Sequence, residues 1–238
     1  TYFLDQQRAQ QILFTAKRYN QGVLSPISGI QYEKRSNNIE QSKAIVRYLE
    51  RISSNRNECA IHINSVMDSL QFSPDADDFE STLQETGEIL GFVSSRPDKE
   101  TSGIGPDNLW ALPDNTYLVI ECKSGAICET ISKEYCNQLG GSVRWFYDEY
   151  NHDPICIPII VHKSNIIDKM ATPVEGMRVI TMELLEKLKM KIRDFTIALV
   201  QNDNWNDELK INTLIQTYKL RKQDITEEYT KVFRLSGS

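Results

Sequence analysis

The order of patterns along this chain predicts an α/β protein: a central mixed β-sheet flanked by helices, with helical additions at both ends. Three observations carry that expectation. A helix with acidic residues in its first turn ends near Gly91-Phe92, and two runs of high β propensity follow it, joined through Pro113-Asp114-Asn115. A further amphipathic segment then leads to the apolar run "PICIPIIVHKSN". Helix, hairpin, helix and buried strand in that order call for one sheet with helices packed on it.

Taken in order, residues 3–20 read as an amphipathic helix with Leu4, Ala9, Ile12 and Ala16 near one stripe, and "GVLSPISG" breaks it. Residues 38–53 form a second helix, with Ile39, Ala44, Ile45, Tyr48 and Ile52 apolar, and "CAIHINSVMDSL" a third. "SPDADDFESTLQETGEILGF" carries Ser/Pro/Asp starters and early acidic residues, where the helix dipole favours them. "SSRPDKETSGIG" reads as a Gly-rich polar loop, then "PDNLWAL" and "TYLVIECKSG" as a hairpin. "ISKEYCNQLGGSVRWFYDEY" is helical, "PICIPIIVHKSN" a buried strand, "VEGMRVIT" a short strand and "MELLEKLKMKIRDFTIALV" a helix. The tail after Asn202 reads as helical. The expected division is a helical extension over 1–60, a core over 61–200 and a helical tail over 201–238.

Bulk properties narrow the function. No apolar run approaches the roughly 20 residues of a membrane helix, and the start shows no signal-peptide pattern. The 5 cysteines are odd in number and form no CxxC pair. That usage reads as reduced thiols in a cytoplasmic protein and fits no Cys-bound cluster. A net charge of −6 argues against a protein that coats nucleic acid. The acid is concentrated in the middle, where residues 61–160 hold 17 Asp/Glu against 5 Lys/Arg. Such a surplus suits a cation site and equally a solvated surface.

The chemistry is carried by "YLVIECKSG", residues 117–125. Side chains alternate along a strand, so Tyr117, Val119, Glu121 and Lys123 share one face, and Leu118, Ile120 and Cys122 the other. Glu121 and Lys123 therefore project together, roughly 7 Å apart along the strand, with the Cys122 carbonyl between them. In the paired strand, Asp107 follows Pro106 and opens an apolar run, and a hairpin of this length brings it beside Glu121. Two carboxylates and a carbonyl are hard oxygen donors that suit Mg2+ or Mn2+ better than zinc. A neighbouring lysine can hold an attacking water or stabilise charge on phosphate, which is the equipment of metal-assisted phosphodiester hydrolysis.

Two more groups join this set. Glu80 shares a helical stripe with Leu83, Gly87 and Leu90, so it has a partner or faces a cleft, whereas Glu85 and Glu88 lie off the stripe and read as solvated. Gln138, among Tyr135 and Leu139 on the following helix, has an amide suited to a bound water, a phosphate or a carboxylate. Each has a plainer alternative: a structural ion pair for Glu121–Lys123, a helix-start charge for Glu80, and an ordinary satisfied amide for Gln138. The same spellings recur at Glu208-Leu209-Lys210, read as a solvated helix face, and at Pro97-Asp98, read as polar loop. His62 and His152 are expected to be incidental and His162 to be packed. Trp110, Trp145 and Phe146 are expected in the core, and Lys133 and Tyr135 are candidates for the rim of a substrate groove.

Glu80, Pro106-Asp107, Glu121-Cys122-Lys123 and Gln138, in this order, resemble the PD-(D/E)xK superfamily of restriction-endonuclease-like phosphodiesterases. The Gly-rich loop and the Glu80-to-"GF" interval are similar to Holliday-junction resolvase-like members. "GPDNLW", "IECKSGA", "ISKEY", "NQL" and "PIIVH" look like nuclease domains attached to bacterial helicases, often in phage defence. The resemblance covers roughly residues 75–165. It implies a restriction-endonuclease-like core and a Mg2+-dependent (Mn2+ as substitute) nuclease acting on DNA. Asp107, Glu121, Lys123, Glu80 and Gln138 would be catalytic, with Asp107, Glu121, Glu80 and the Cys122 carbonyl on the metal. A helicase is the implied partner or attached domain, and a homo-oligomer stays open. The alternatives are an inactive nuclease fold kept for nucleic-acid binding or assembly, and cleavage of RNA.

Overall fold

Strand β3 (Thr116–Cys122) is the centre on which the molecule is built. The structure, a computed structural model, describes residues 12, 13, 16, 32–73, 75–101, 103–201 and 205–236. Of the helix expected over 3–20, Ile12, Leu13 and Ala16 are helical; the rest of it and the "GVLSPISG" break lie outside the described residues.

Three helices precede the sheet: α1 (Gln41–Ile52), α2 (Arg56–Ser69) and α3 (Ala76–Ile89). The Asp75 side chain caps α3 by accepting from the Asp78 N–H, with Asp77 and Asp78 in the first turn. The helix stops at Gly91, whose φ of 79° is a left-handed conformation. Gly87 lets α3 press onto the sheet, since a Cβ there would sit 2.6 Å from Trp110 Nε1 and 2.9 Å from the Ser94 Cβ.

The segment expected to be a loop after α3 contains regular structure. It contains the short edge strand β1 (Val93–Ser95) and a single helical turn, α4 (Pro97–Glu100), with Pro97 in its first turn. The hairpin is as expected: β2 (Asn108–Leu112) pairs antiparallel with β3, and Asp114 and Asn115 turn the chain with φ of 73° and 59°. Helix α5 (Lys133–Tyr150) then crosses over to β4 (Ile155–Val161), which lies parallel to β3. After β5 (Ile166–Ile167), strand β6 (Arg178–Ile180) joins parallel to β4. Helices α6 (Met182–Val200), α7 (Glu208–Thr217) and α8 (Lys222–Tyr229) follow. The tail expected to be helical ends instead in β7 (Lys231–Val232) and β8 (Arg234–Leu235). Strand β7 closes a six-stranded sheet of order β1-β2-β3-β4-β6-β7, while β8 pairs with β5 apart from it.

The two faces of β3 bury different things, as its alternation requires. Leu118, Ile120 and Cys122 join a core built with α1, α2, α3, α6, α7 and α8, whereas Tyr117 and Val119 pack on Phe146 and Tyr150 of α5. Ile45 and Leu49 of the expected extension, Leu83 and Trp110 of the expected core, and Ile211 and Tyr229 of the expected tail share one cluster, so the three segments pack as one body. Among the described residues no helix is long and apolar enough to cross a membrane.

Candidate active site

The end of the hairpin assembles the first half of the site. Asn108 lies opposite Ile120, so one step further Asp107 stands opposite Glu121. The Cys122 N–H donates to Asp107 Oδ2 at 2.7 Å and pins that carboxylate to the end of β3. Lys123 Nζ lies 3.0 Å from Glu121 Oε2 and 3.6 Å from Asp107 Oδ2, between the two carboxylates. Its other neighbour is the Tyr135 ring, whose centre is 5.6 Å from the ammonium. The far oxygen of Glu121, Oε1, accepts a 2.6 Å bond from the Ser142 hydroxyl on α5.

The second half comes from the other side of the sheet. Glu80 stands near the start of α3, and the Asn108 amide ties its backbone carbonyl to β2 at 3.1 Å. Asp98, on α4, faces it. One carboxylate oxygen each from Glu80, Asp98 and Asp107 lies within 4.8 Å of the others. The Arg96 guanidinium donates to Glu80 Oε2 and, at 2.8 Å, to Asp77 Oδ1. Lys99 also reaches Asp77, at 2.8 Å. Asp98 Oδ1 is buried and has no hydrogen-bond partner. Asp107 thus belongs to both halves.

Electrostatics follow from this crowding. Burial, then the charge of Asp107, pushes the Glu80 carboxyl up to about 7 against the pull of Arg96. Burial and Asp107 likewise push Asp98 up to about 6. Glu121 is raised by burial and by Asp107, with Lys123 and Ser142 opposing. Burial acts to lower Lys123, but Glu121 and Asp107 outweigh it and hold the amine above its ordinary value, so it stays an ammonium at neutral pH. The Cys122 thiol is driven well above its ordinary value, first by burial. Glu80 and Asp98, both raised by burial beside Asp107, and the unpartnered buried oxygen of Asp98 mark a group short of positive charge. An all-oxygen donor set of that kind fits a hard divalent cation.

Of the residues expected from sequence, Asp107, Glu121, Lys123 and Glu80 are brought together. Cys122 enters through its backbone N–H. Gln138 is a correction: its side chain is exposed and makes no hydrogen bond to the cluster. Ser142, one helical turn further on, occupies the place expected for it, because α5 meets β3 along the stripe containing Leu139, Ser142 and Phe146. Asp98 is the second correction, since "PD" at Pro97-Asp98 is part of the cluster and not a bystander. Arg96 was not foreseen either; a single arginine directly before that second "PD" was the available signal.

The remaining expectations concern packing. Trp110 and Phe146 are fully buried, and Trp145 is half-buried against Tyr32. His162 is buried, its Nδ1 accepting from the Ser164 N–H at 3.1 Å. His62 and His152 lie elsewhere, on Glu85 and on the Tyr147 ring. Glu85 and Glu88 sit at the surface but are paired, with Tyr48 and His62 and with Arg51. Lys133 and the Glu208–Lys210 face are exposed. Comparison with protein-family models, curated proteins and solved structures finds no match to this chain.

Proposed function

We propose that this protein is a divalent-metal-dependent nuclease of the PD-(D/E)xK type that hydrolyses DNA phosphodiester bonds. The observation that carries the reading is the placement of one ammonium, Lys123, between Asp107 and Glu121 at the end of a sheet, beside the Glu80–Asp98–Asp107 group. A structural ion pair explains Lys123 and Glu121 alone. It does not explain why three more carboxylic groups converge where too few cations meet them.

Asp107, Glu121, Glu80 and Asp98 are the residues that would hold Mg2+ or Mn2+. Such an ion supplies Lewis-acid polarisation of a phosphoryl oxygen and lowers the pKa of water. The chain's own contribution is distinct. Lys123 remains protonated, so it is no general base. It donates hydrogen bonds that hold the attacking water and offset negative charge on the phosphoryl oxygens as the P–O bond to the leaving oxygen breaks. Asp107 and Glu121 hold that ammonium from two sides, and the Tyr135 ring covers it. The acidic centre repels a polyanion, so affinity for DNA comes from elsewhere: from exposed cations such as Lys43 and Arg47 on α1, or from a DNA-unwinding partner. Arg35 and Arg51 serve less well, being paired with Glu100 and Glu88.

The test is incubation with supercoiled plasmid, linear duplex and single-stranded DNA in Mg2+, Mn2+ or EDTA. Cleavage in either metal and none in EDTA is expected. No cleavage of any substrate with either metal would point to an inactive fold kept for binding or assembly.

A further inference from the structure

Helix α4 is a single turn of 4 residues, of which Pro97 is the buried one. So short an element cannot hold itself in place, and its position depends on what its side chains reach. Successive residues of a helix point about 100° apart, so Asp98, Lys99 and Glu100 leave the turn in three directions. Asp98 faces Glu80 and Asp107, Lys99 reaches Asp77 on α3 at 2.8 Å, and Glu100 Oε2 lies 3.2 Å from Arg35 Nη2. Arg96 ties the start of the turn to α3, and Arg35 holds its end. The Lys99 tie stands in water, with Asp77 60% exposed, whereas Arg35 and Glu100 are 33% and 25% exposed. The more shielded pair is the stronger constraint.

Arg35 is itself held. Its N–H donates to the Tyr150 hydroxyl at 2.7 Å, and its carbonyl accepts from the Tyr117 hydroxyl at 2.9 Å. Both tyrosines are buried, one on α5 and one on β3. To one side, the Tyr32 hydroxyl meets that of Tyr150 at 2.9 Å. To the other, the Asn37 amide donates to the carbonyls of Gly91 and Ala111 at 3.3 and 3.2 Å. Residues 32–37 are thus pinned to α5, β2 and β3, and from them one guanidinium reaches α4. We propose that Arg35 is a positioning residue for the cluster: through Glu100 it braces α4 and holds Asp98 against Glu80 and Asp107. Its charge partners are Glu100 and Glu33, so it acts on the cluster by way of α4. The proposal rests on the metal-dependent reading above but concerns ion binding, not hydrolysis.

The experiment is calorimetric titration of Mg2+ into the wild-type protein, Arg35→Gln, Asp98→Asn and the double variant, with thermal melts to establish that all are folded. Amide hydrogen exchange of residues 97–101 is followed alongside. Arg35→Gln should lower Mg2+ affinity about tenfold, the lower end of the scale for losing a group that orients a metal ligand. It should also speed exchange in α4 while β3 stays protected. Removing a positive charge by itself favours a bound cation, so a loss of affinity reads the brace and not the charge. In the Asp98→Asn background the same substitution should cost nothing further, because both act through one group. Wild-type affinity in Asp98→Asn or in folded Arg35→Gln, or an equal loss from Arg35→Gln in both backgrounds, overturns the proposal. A protein that binds Mg2+ and shows this coupling, yet cleaves no DNA, upholds the brace and removes the hydrolytic reading. One that cleaves DNA in Mg2+ without the coupling does the reverse, and one that binds no ion overturns both.

Discussion

The two halves of the site manage the same problem, buried negative charge, in opposite ways. On the hairpin side, Asp107 and Glu121 have a lysine between them, a backbone N–H on one and a serine hydroxyl on the other. On the α3 side, Glu80 has Arg96, which it shares with Asp77, and Asp98 keeps a buried oxygen without a partner. The hairpin half is assembled within one supersecondary unit, with α5 adding the Ser142 hydroxyl. The α3 half depends on packing between a helix, a short turn and a strand, and it is left short of positive charge. That deficit is where a cation has the most to gain.

The largest effect should come from the residue common to both halves. Asp107→Ala should lower metal-dependent cleavage by roughly a thousandfold or more and weaken Mg2+ binding, with the fold retained in a thermal melt. Lys123→Ala sharpens the contrast: turnover should fall roughly 10²–10³-fold while calorimetric Mg2+ affinity holds or rises, since the ammonium acts on water and phosphate. Intact cleavage with lost Mg2+ affinity in the lysine variant would reverse the roles assigned to the two groups.

Gly87→Ala tests whether the α3 half depends on close packing. The new Cβ meets the fully buried Trp110 and Ser94, so α3 must move off the sheet, carrying Glu80 with it. A loss of about 1–3 kcal/mol in denaturant unfolding is expected, despite alanine's better helix propensity. Unchanged or raised stability would show that the helix has slack there.

The smallest effect is a pH dependence that belongs to the α3 half. The folded-state value of Glu80, about 7, lies above its ordinary 4.5, and that of Asp98, about 6, above 3.8. Groups raised in this direction bind protons more tightly when folded. Their contribution to stability is therefore complete below the unfolded values and is lost as pH rises through about 6 and then about 7. Without metal, stability should fall by on the order of 1 kcal/mol between pH 5 and 7.5, after allowance for solvent screening. Mg2+ should restore stability at pH 7.5 and do little at pH 5, where protons hold the same oxygens. Glu80→Gln should flatten the metal-free profile; a profile as steep as wild type would place the titrating group elsewhere.

What the sequence by itself determined is what short-range periodicity determines. Alternation of two put Glu121 and Lys123 on one face of β3, the turn residues Pro113-Asp114-Asn115 brought Asp107 beside them, and steps of three and four put Glu80 on the stripe of α3 that faces the sheet. Each of these relations is contained within a single element or a single hairpin. Three others were decided only by tertiary structure. Gln138 and Ser142 lie one turn apart on α5, and local pattern does not say which reaches Glu121; the depth to which Leu139 and Phe146 seat the helix on the sheet selects Ser142 and leaves Gln138 in solvent. Asp98 became part of the site because β1 pairs with β2 and delivers α4 to the mouth of the hairpin, and a three-residue edge strand is too short to announce itself. Strand β7 closes the far edge of the sheet through pairing with β6, more than 50 residues earlier. Contacts of that kind depend on how elements pack across the whole core, and that packing is a property of the assembled chain, with no counterpart in the spacing of residues along any one segment.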